Sequence, residues 1–354
     1  MRAVRYHGPE DIRVEEIEEP SCGVGQVKIR PAFVGICGSG ALFYPHLHEY
    51  LHGPITIPRA KIPITLGHEV SGTITEIGAG VAFAKVGDRV AVKPNLVDGN
   101  CAACLRGWTN CCRNLGFVGF SGDAGGMSDF VVVKEEQAIL LPAGFALDLG
   151  ALVEPLTVAW HAVNRCSLRD IRTVLVVGAG PIGLAVLLVL KARGVGSVIV
   201  SEISAQRREL ARTLGATCVV DPHAEDVVPK VRGMTGSAGA DVAFECSGAQ
   251  AGLDTAVKGV RVRGTVAIVS LFGVEEKPSL DALGVVMGEK HVFGTVIYED
   301  GDFEAVIEAI WSGKLDPKAL ITSKIRMEDV VKRGFKALVS GRDQYVKILV
   351  DIAV

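Results

Sequence analysis

Hydrophobic and polar positions along the chain change their period part-way. No stretch before residue 36 repeats apolar residues every three or four positions. Ile12–Glu16 opens with the alternation of a half-buried strand. Gln26–Phe33 reads as a second strand, part of which Pro31 assigns to a sheet edge. Val70–Ile77, Val86–Val92 and Met127–Val133 continue as strands joined by glycine-rich turns, and Gly119–Gly126 reads as a loop. The first clear helical stretch is Leu149–Ala162. From Thr173 onward short β-branched runs alternate with helices. Thr173–Val177, Ser197–Val200, Cys218–Val220, Asp241–Cys246, Thr265–Ser270 and Val292–Tyr298 are predicted strands. Pro181–Lys191, Glu209–Leu214 and Ala224–Arg232 are the helices among them. Two further helices, Phe303–Trp311 with Asp302 as N-cap and Glu328–Val339, precede a closing strand at Tyr345–Asp351. An all-β start ahead of a doubly wound parallel core predicts two architectures in one chain.

The stretch from Thr173 to Ser204 carries the strongest chemical signal. A buried strand leads into Gly178, Gly180 and Gly183, which fit G-x-G-x-x-G. A helix opening at Pro181-Ile182 and a second strand ending at Glu202 follow. The first glycine permits a tight turn. The second lets backbone approach a pyrophosphate, and the third lets helix pack on strand. Unpaired N–H groups at the helix start receive the phosphates. Glu202 is placed to accept both hydroxyls of an adenosine ribose and to repel a 2′-phosphate, which favours NAD. Arg207 and Arg208 pull the other way.

Composition narrows the class. The chain has 354 residues, net charge −3 and 49% apolar positions, enough for two domains with large cores. No basic run supports nucleic-acid binding. The longest apolar run, Pro181–Leu190, is short of the roughly 18 residues a membrane span requires. The N-terminus lacks a signal-peptide apolar region, so a cytoplasmic location is expected. There the nine cysteines serve as thiols or metal ligands.

Two cysteine contexts stand out. Cys101 and Cys104, with Cys111 and Cys112, form a knuckle of the kind that holds a structural zinc. Elsewhere Cys37, His68 and Glu154 supply a thiolate, an imidazole and a carboxylate. Three such ligands with an open fourth position make a catalytic zinc site. Glu154 falls inside an apolar helical pattern, where a carboxylate must be paired, protonated or metal-bound. Phe43, Tyr44, His46, His48, Tyr50 and His52 crowd one loop-like stretch.

The motifs GICGS (35–39), LGHEVSG (66–72), VGDRVAV (86–92), LVEPL (152–156), VVGAGPIG (176–183) and DVAFECSG (241–248), in this order, resemble the zinc-containing medium-chain dehydrogenases over nearly the whole length. LHEYLHGPITIP (47–58), ITSKI (321–325) and YVKILV (345–350) resemble its butanediol dehydrogenase branch, beside sorbitol and xylitol dehydrogenases. The resemblance implies a GroES-like β-rich catalytic domain at 1–158, an NAD-binding Rossmann domain at 159–296 and a return to the catalytic domain at 297–354. It implies hydride transfer between NAD and a secondary alcohol, most simply the vicinal diol 2,3-butanediol giving acetoin. A polyol such as sorbitol or xylitol is the alternative substrate. A nicotinamide-binding protein with impaired catalysis is the alternative of another class.

By the same resemblance Cys37, His68 and Glu154 hold the catalytic zinc, with Glu69 able to replace Glu154. Ser39 takes the alcohol proton, and His48 or His52 ends the relay. The family's structural zinc positions fall on Asp98, Cys101, Cys104 and Cys112. Asp98 stands where the family has cysteine, so Cys111 as the fourth ligand, or no second zinc, stays open. Gly40 stands where the family has an aspartate that supports the metal site, and the segment after it is longer. A homodimer or homotetramer is expected, with the Val292–Tyr298 strand as a pairing edge.

Overall fold

Pro31 does not put its strand at an edge. The computed structural model describes residues 1–37, 62–121, 124–167, 171–273, 277–341 and 343–353. The chain divides into two compact units. The first holds residues 1–154, 299–311 and 321–354, and the second holds 155–298 and 312–320.

The first unit is built on β1 (Arg2–Gly8), β2 (Asp11–Glu16), β3 (Gln26–Gly35), β4 (Ile64–Thr65), β5 (Glu69–Ile77), β6 (Arg89–Val92), β7 (Asn95–Leu96), β8 (Gly116–Phe117), β9 (Val131–Lys134) and β10 (Ala138–Leu140). Its main sheet runs β10-β6-β5-β3-β18-β17, where β17 is Ile321–Arg326 and β18 is Lys347–Asp351, and β9 also pairs with β3. β3 is therefore interior. It pairs with β5 along one side. On the other side it meets β9 through Ile29 and β18 from Phe33. Pro31 falls in the gap between those two partners, beside a register shift. Its missing N–H thus leaves no ladder bond unmade. Val27, Ile29, Val34, Val70, Ile74, Val90, Ile348 and Val350 fill the core beneath this sheet.

The second unit carries the parallel sheet. β11 (Thr173–Val177), β12 (Ser197–Ser201), β13 (Cys218–Val220), β14 (Ala240–Glu245), β15 (Val260–Ile268) and β16 (His291–Gly294) lie in the order β13-β12-β11-β14-β15-β16. All five residues of β11 are buried, as a β-branched run between two layers of helix must be. Leu175, Ile199, Val231, Ala243, Leu253 and Val266 pack its core.

Three helical details bear on the site. Leu149–Ala162 is not one helix. A single turn, α1 (Leu147–Gly150), precedes α2 (Val153–Asn164), which begins one residue before Glu154. α3 (Pro181–Ala192) opens with proline at its first position, where no N–H is needed. The expected helix at Glu328–Val339 is a 3₁₀ turn (Met327–Asp329), a π-turn (Val330–Phe335) and an α-turn (Lys336–Ser340). Gly334 lies on Ile36 there, and a Cβ would come within 2.6 Å of its Cδ1. No described helix is long and apolar enough to cross a membrane.

Candidate active site and metal centre

β5, β3 and β18 lie side by side, and their register assembles the first site. Gly35 pairs with Glu69 on one side and with Leu349 on the other. Cys37 follows the end of β3, and His68 immediately precedes β5. Gly67, at φ +103°, makes the turn into His68; a Cβ there would come within 2.8 Å of the Met127 nitrogen. One donor atom each from Cys37, His68 and Glu69 lie within 4.8 Å of one another. The His68 ring rests against Phe120 with centroids 4.6 Å apart. An apolar cavity opens beside these donors, with Tyr6, Ile36, Leu66, Phe120, Met127 and Phe335 among its described walls.

Sequence reasoning missed Lys347. Its ammonium is buried and donates to both Glu69 oxygens at 2.6 and 2.7 Å, and to the Ile36 carbonyl at 3.4 Å. Burial, the largest single influence, lowers its pKa, but the charge and hydrogen bond of Glu69 together with the Cys37 and Glu154 charges outweigh it, and the net shift is upward. Gly35 makes the pair geometrically feasible, since a Cβ there would overlap Glu69 Oε2. The signal was available: a lysine inside the otherwise apolar run Val346–Val350 has to find an anion.

Glu154 stands outside the 4.8 Å group, and Glu69 takes its place there. It still shares the site's electrostatics. Burial first pushes its carboxyl up to about 7, with His68 pulling it down and the Glu69 and Cys37 charges pushing it up. A carboxyl held above its ordinary 4.5 keeps a proton in the folded protein that the unfolded chain has lost. Stability of the metal-free protein therefore falls as pH rises from about 4.5 to about 7, and the loss is complete above that. Glu154→Gln is expected to raise the melting temperature of chelator-stripped protein at pH 8 and to leave it unchanged at pH 4.5. An equal shift at both pH values would rule out this charge.

The second group is Asp98, Cys101, Cys104 and Cys112, again with donor atoms within 4.8 Å of one another. Cys111 is exposed and lies outside it. Two short 3₁₀ turns, Cys104–Arg106 and Thr109–Cys111, fold the knuckle. Asp98 Oδ1 accepts the N–H groups of Asn100 and Cys101, both at 3.0 Å, and Oδ2 accepts the Asn114 amide at 2.7 Å. These bonds, the Cys101 N–H first, hold its carboxyl far below the usual range. The Cys101 thiol is pulled down to about 7, chiefly by the Cys104 and Arg113 N–H groups. Burial and bonds from Cys101 and Cys112 push Cys104 up to about 12. Three sulfurs and a preformed carboxylate suit zinc.

The third site is the turn after β11. Gly178 has φ +91°, and a Cβ on it would come within 2.9 Å of the Ser247 nitrogen. A Cβ on Gly183 would overlap the Gly178 carbonyl oxygen, whereas Gly180 faces open space with only Arg207 Nη1 at 3.9 Å. Ile182 is half-buried on the first turn of α3. Buried Glu202 accepts the Ala179 N–H at 2.5 Å and the Ser204 N–H at 2.8 Å, which ties β12 to the glycine turn. The two arginines differ in use. Arg208 is occupied by Asp221 at 2.8 Å and by the Glu202 carbonyl at 3.0 Å, while Arg207 lies beside Gly180. Ser39, Gly40, His46, His48 and His52 fall outside the described residues.

Known families match both units. The description "Alcohol dehydrogenase GroES-like domain" fits residues 23–143, and "Zinc-binding dehydrogenase" fits residues 181–312. The chain is 40% identical over 360 residues to the (R,R)-butanediol dehydrogenase of Bacillus subtilis, covering 99% of both. The chain belongs to the zinc-containing medium-chain alcohol dehydrogenases. It is similar to the crystal structure of 2R,3R-butanediol dehydrogenase from Bacillus subtilis, with TM-score 0.88, 39% identity and 99% coverage of both chains. The sorbitol dehydrogenase of Bacillus subtilis is 32% identical over 350 residues, covering 99% of this chain and 97% of its own. As a zinc-containing alcohol dehydrogenase the chain uses zinc and a nicotinamide cofactor. Its donor clusters and glycine turn have the chemistry to accept them.

Proposed function

We propose that this dehydrogenase interconverts 2,3-butanediol and acetoin, moving a hydride between the carbinol carbon and NAD. The carrying observation is the cavity beside Cys37 and His68, whose described walls are mostly apolar. Methyl groups of a four-carbon diol suit such walls, and a polyol would leave hydroxyls without partners there. The 40% identity to a butanediol dehydrogenase supports the same reading.

Cys37 and His68 would hold the catalytic zinc, with Glu154 or Glu69 as the third ligand. Held by these residues, zinc would supply Lewis acidity to the oxygen of the substrate. Ser39 would accept the hydroxyl proton, and His48 or His52 would pass it outward. Lys347 neutralises Glu69, so the buried centre carries one uncompensated carboxylate fewer. Asp98, Cys101, Cys104 and Cys112 would hold a second, structural zinc.

The test is NADH formation by zinc-loaded protein with (R,R)-2,3-butanediol, repeated after chelation and with sorbitol alongside. Chelator-sensitive turnover of the diol, well above sorbitol, is the expected result. Faster turnover of sorbitol would replace the substrate assignment. NADH binding without turnover of either would displace the enzymatic reading itself.

NAD rather than NADP is proposed from Glu202, whose carboxylate stands next to the glycine turn. Glu202→Ala is expected to raise kcat/KM for NADP and lower it for NAD, since the carboxylate that would repel the extra phosphate is gone and Arg207 stands beside Gly180. No gain with NADP would remove Glu202 from that role. Assembly as a homodimer or homotetramer is proposed through β16, the last strand of its sheet, which follows the helix Ala282–Met287 with its exposed Leu283, Val286 and Met287. A monomeric mass by light scattering would exclude it.

A further inference from the structure

Glu245 ends β14 and is fully buried, at 0% exposure. Its Oε1 accepts the N–H groups of Ser247 and Gly248 at 2.7 and 3.1 Å and the Ser247 hydroxyl at 2.5 Å. Its Oε2 accepts the Ser270 hydroxyl from beyond the end of β15. The two N–H groups can only donate and the two hydroxyls are able to, which suits a carboxylate. Among the described residues no lysine, arginine or histidine pairs with it. The Cys246 thiol is pushed well above its ordinary value, by burial first and by the Glu245 charge second. A buried anion with no counter-charge is expensive, and an amide or an apolar side chain would fold more cheaply in its place. Such local costs concentrate where a protein does chemistry.

Strand order says what the charge faces, and this step rests on the dinucleotide reading above. The pyrophosphate goes to the turn after β11, and the adenosine ribose goes to Glu202 at the end of β12. The remaining half of the cofactor must then run the other way, over the carboxyl ends of β14 and β15. The floor there is continuous. Ser247 abuts Gly178, and a Cβ on Gly248 would come within 2.9 Å of the Leu271 carbonyl oxygen. Glu245 ties both loops together from below.

We propose that Glu245 is a positioning residue for the nicotinamide half. It holds the Ser247–Gly248 and Ser270 loops as one floor, and its negative charge favours the cationic ring of NAD⁺ over the neutral ring of NADH. At an effective dielectric near 20, a single unit charge beneath the ring attracts enough to change affinity on the order of tenfold.

The experiment titrates NAD⁺, NADH and ADP-ribose calorimetrically into zinc-loaded wild type, Glu245→Gln and Ser270→Lys. Glu245→Gln is expected to bind NAD⁺ about tenfold more weakly, with NADH and ADP-ribose within about twofold of wild type. Ser270 is half-buried, so a lysine there has room to bring an ammonium to Glu245. It is expected to shift the NAD⁺-to-NADH affinity ratio in the same direction, and it carries the test if Glu245→Gln does not fold. An unchanged ratio, whether from equal weakening of both cofactors or from no effect, overturns the proposal. A wild type that binds none of the three ligands overturns the dinucleotide reading instead.

Discussion

Replacing Lys347 by alanine is expected to destabilise the protein by about 3–5 kcal/mol, the usual result of removing one partner from a buried ion pair. The pair is only 3% and 1% exposed on its two sides, so water cannot take the place of the ammonium. Both Glu69 oxygens would be left without that donor in a buried site. Most of the loss is therefore the cost of a stranded anion. Lys347→Met combined with Glu69→Gln removes both charges together and is expected to recover most of it. Thermal melts of metal-free protein make the comparison. A single Lys347→Ala variant as stable as the parent would show that the pair carries no such weight.

The second large effect is expected at Gly183. A methyl group there would overlap the Gly178 carbonyl oxygen, which is backbone and cannot rotate away. α3 would have to lift off β11. Overpacking of this kind costs about 1–3 kcal/mol, and a rigid obstacle puts Gly183→Ala at the upper end. The displaced helix start would also lose its aim at the pyrophosphate. Gly180→Ala separates the two consequences, because Gly180 faces open space inside the fold. It is expected to weaken NADH without lowering the melting temperature, whereas Gly183→Ala should do both. Fluorescence titration of NADH beside a thermal melt reads the difference. Equal melting temperatures for the two variants would count against the packing argument.

What could be read from the sequence follows how locally each feature is specified. Thr173–Val177 was bounded to the residue because a short β-branched run between turn signals has one good structure. The glycine turn was legible for the same reason, each glycine having a local steric job. Sheet neighbours are not local. Pro31 suggested an edge, and only the handover from β9 to β18 shows how an interior strand accommodates it. Register likewise decides the metal donors. Glu154 and Glu69 were both visible as carboxylates, but the alignment of β5 on β3 brings Glu69, rather than Glu154, into the group with Cys37 and His68. Val292–Tyr298 ran long because β16 stops at Gly294; Ile297, at φ +41°, already leaves strand geometry. Asp98 could be read as a stand-in for cysteine. Its support from Asn114 depends on how the knuckle folds back.

The bridge from Glu69 over Gly35 to Lys347 also sets an order of assembly. Residues 1–154 supply every donor of the first metal group, yet the counter-charge arrives on β18, after the whole parallel sheet has been synthesised. A nascent chain emerging from the ribosome completes its nucleotide-binding unit while Glu69 is still without its lysine. The acidic centre is finished last, when β18 inserts between β3 and β17. Neutralisation of Glu69 is in this way tied to synthesis of β18, and a chain cut short before that strand keeps all three donors of the centre but not their counter-charge.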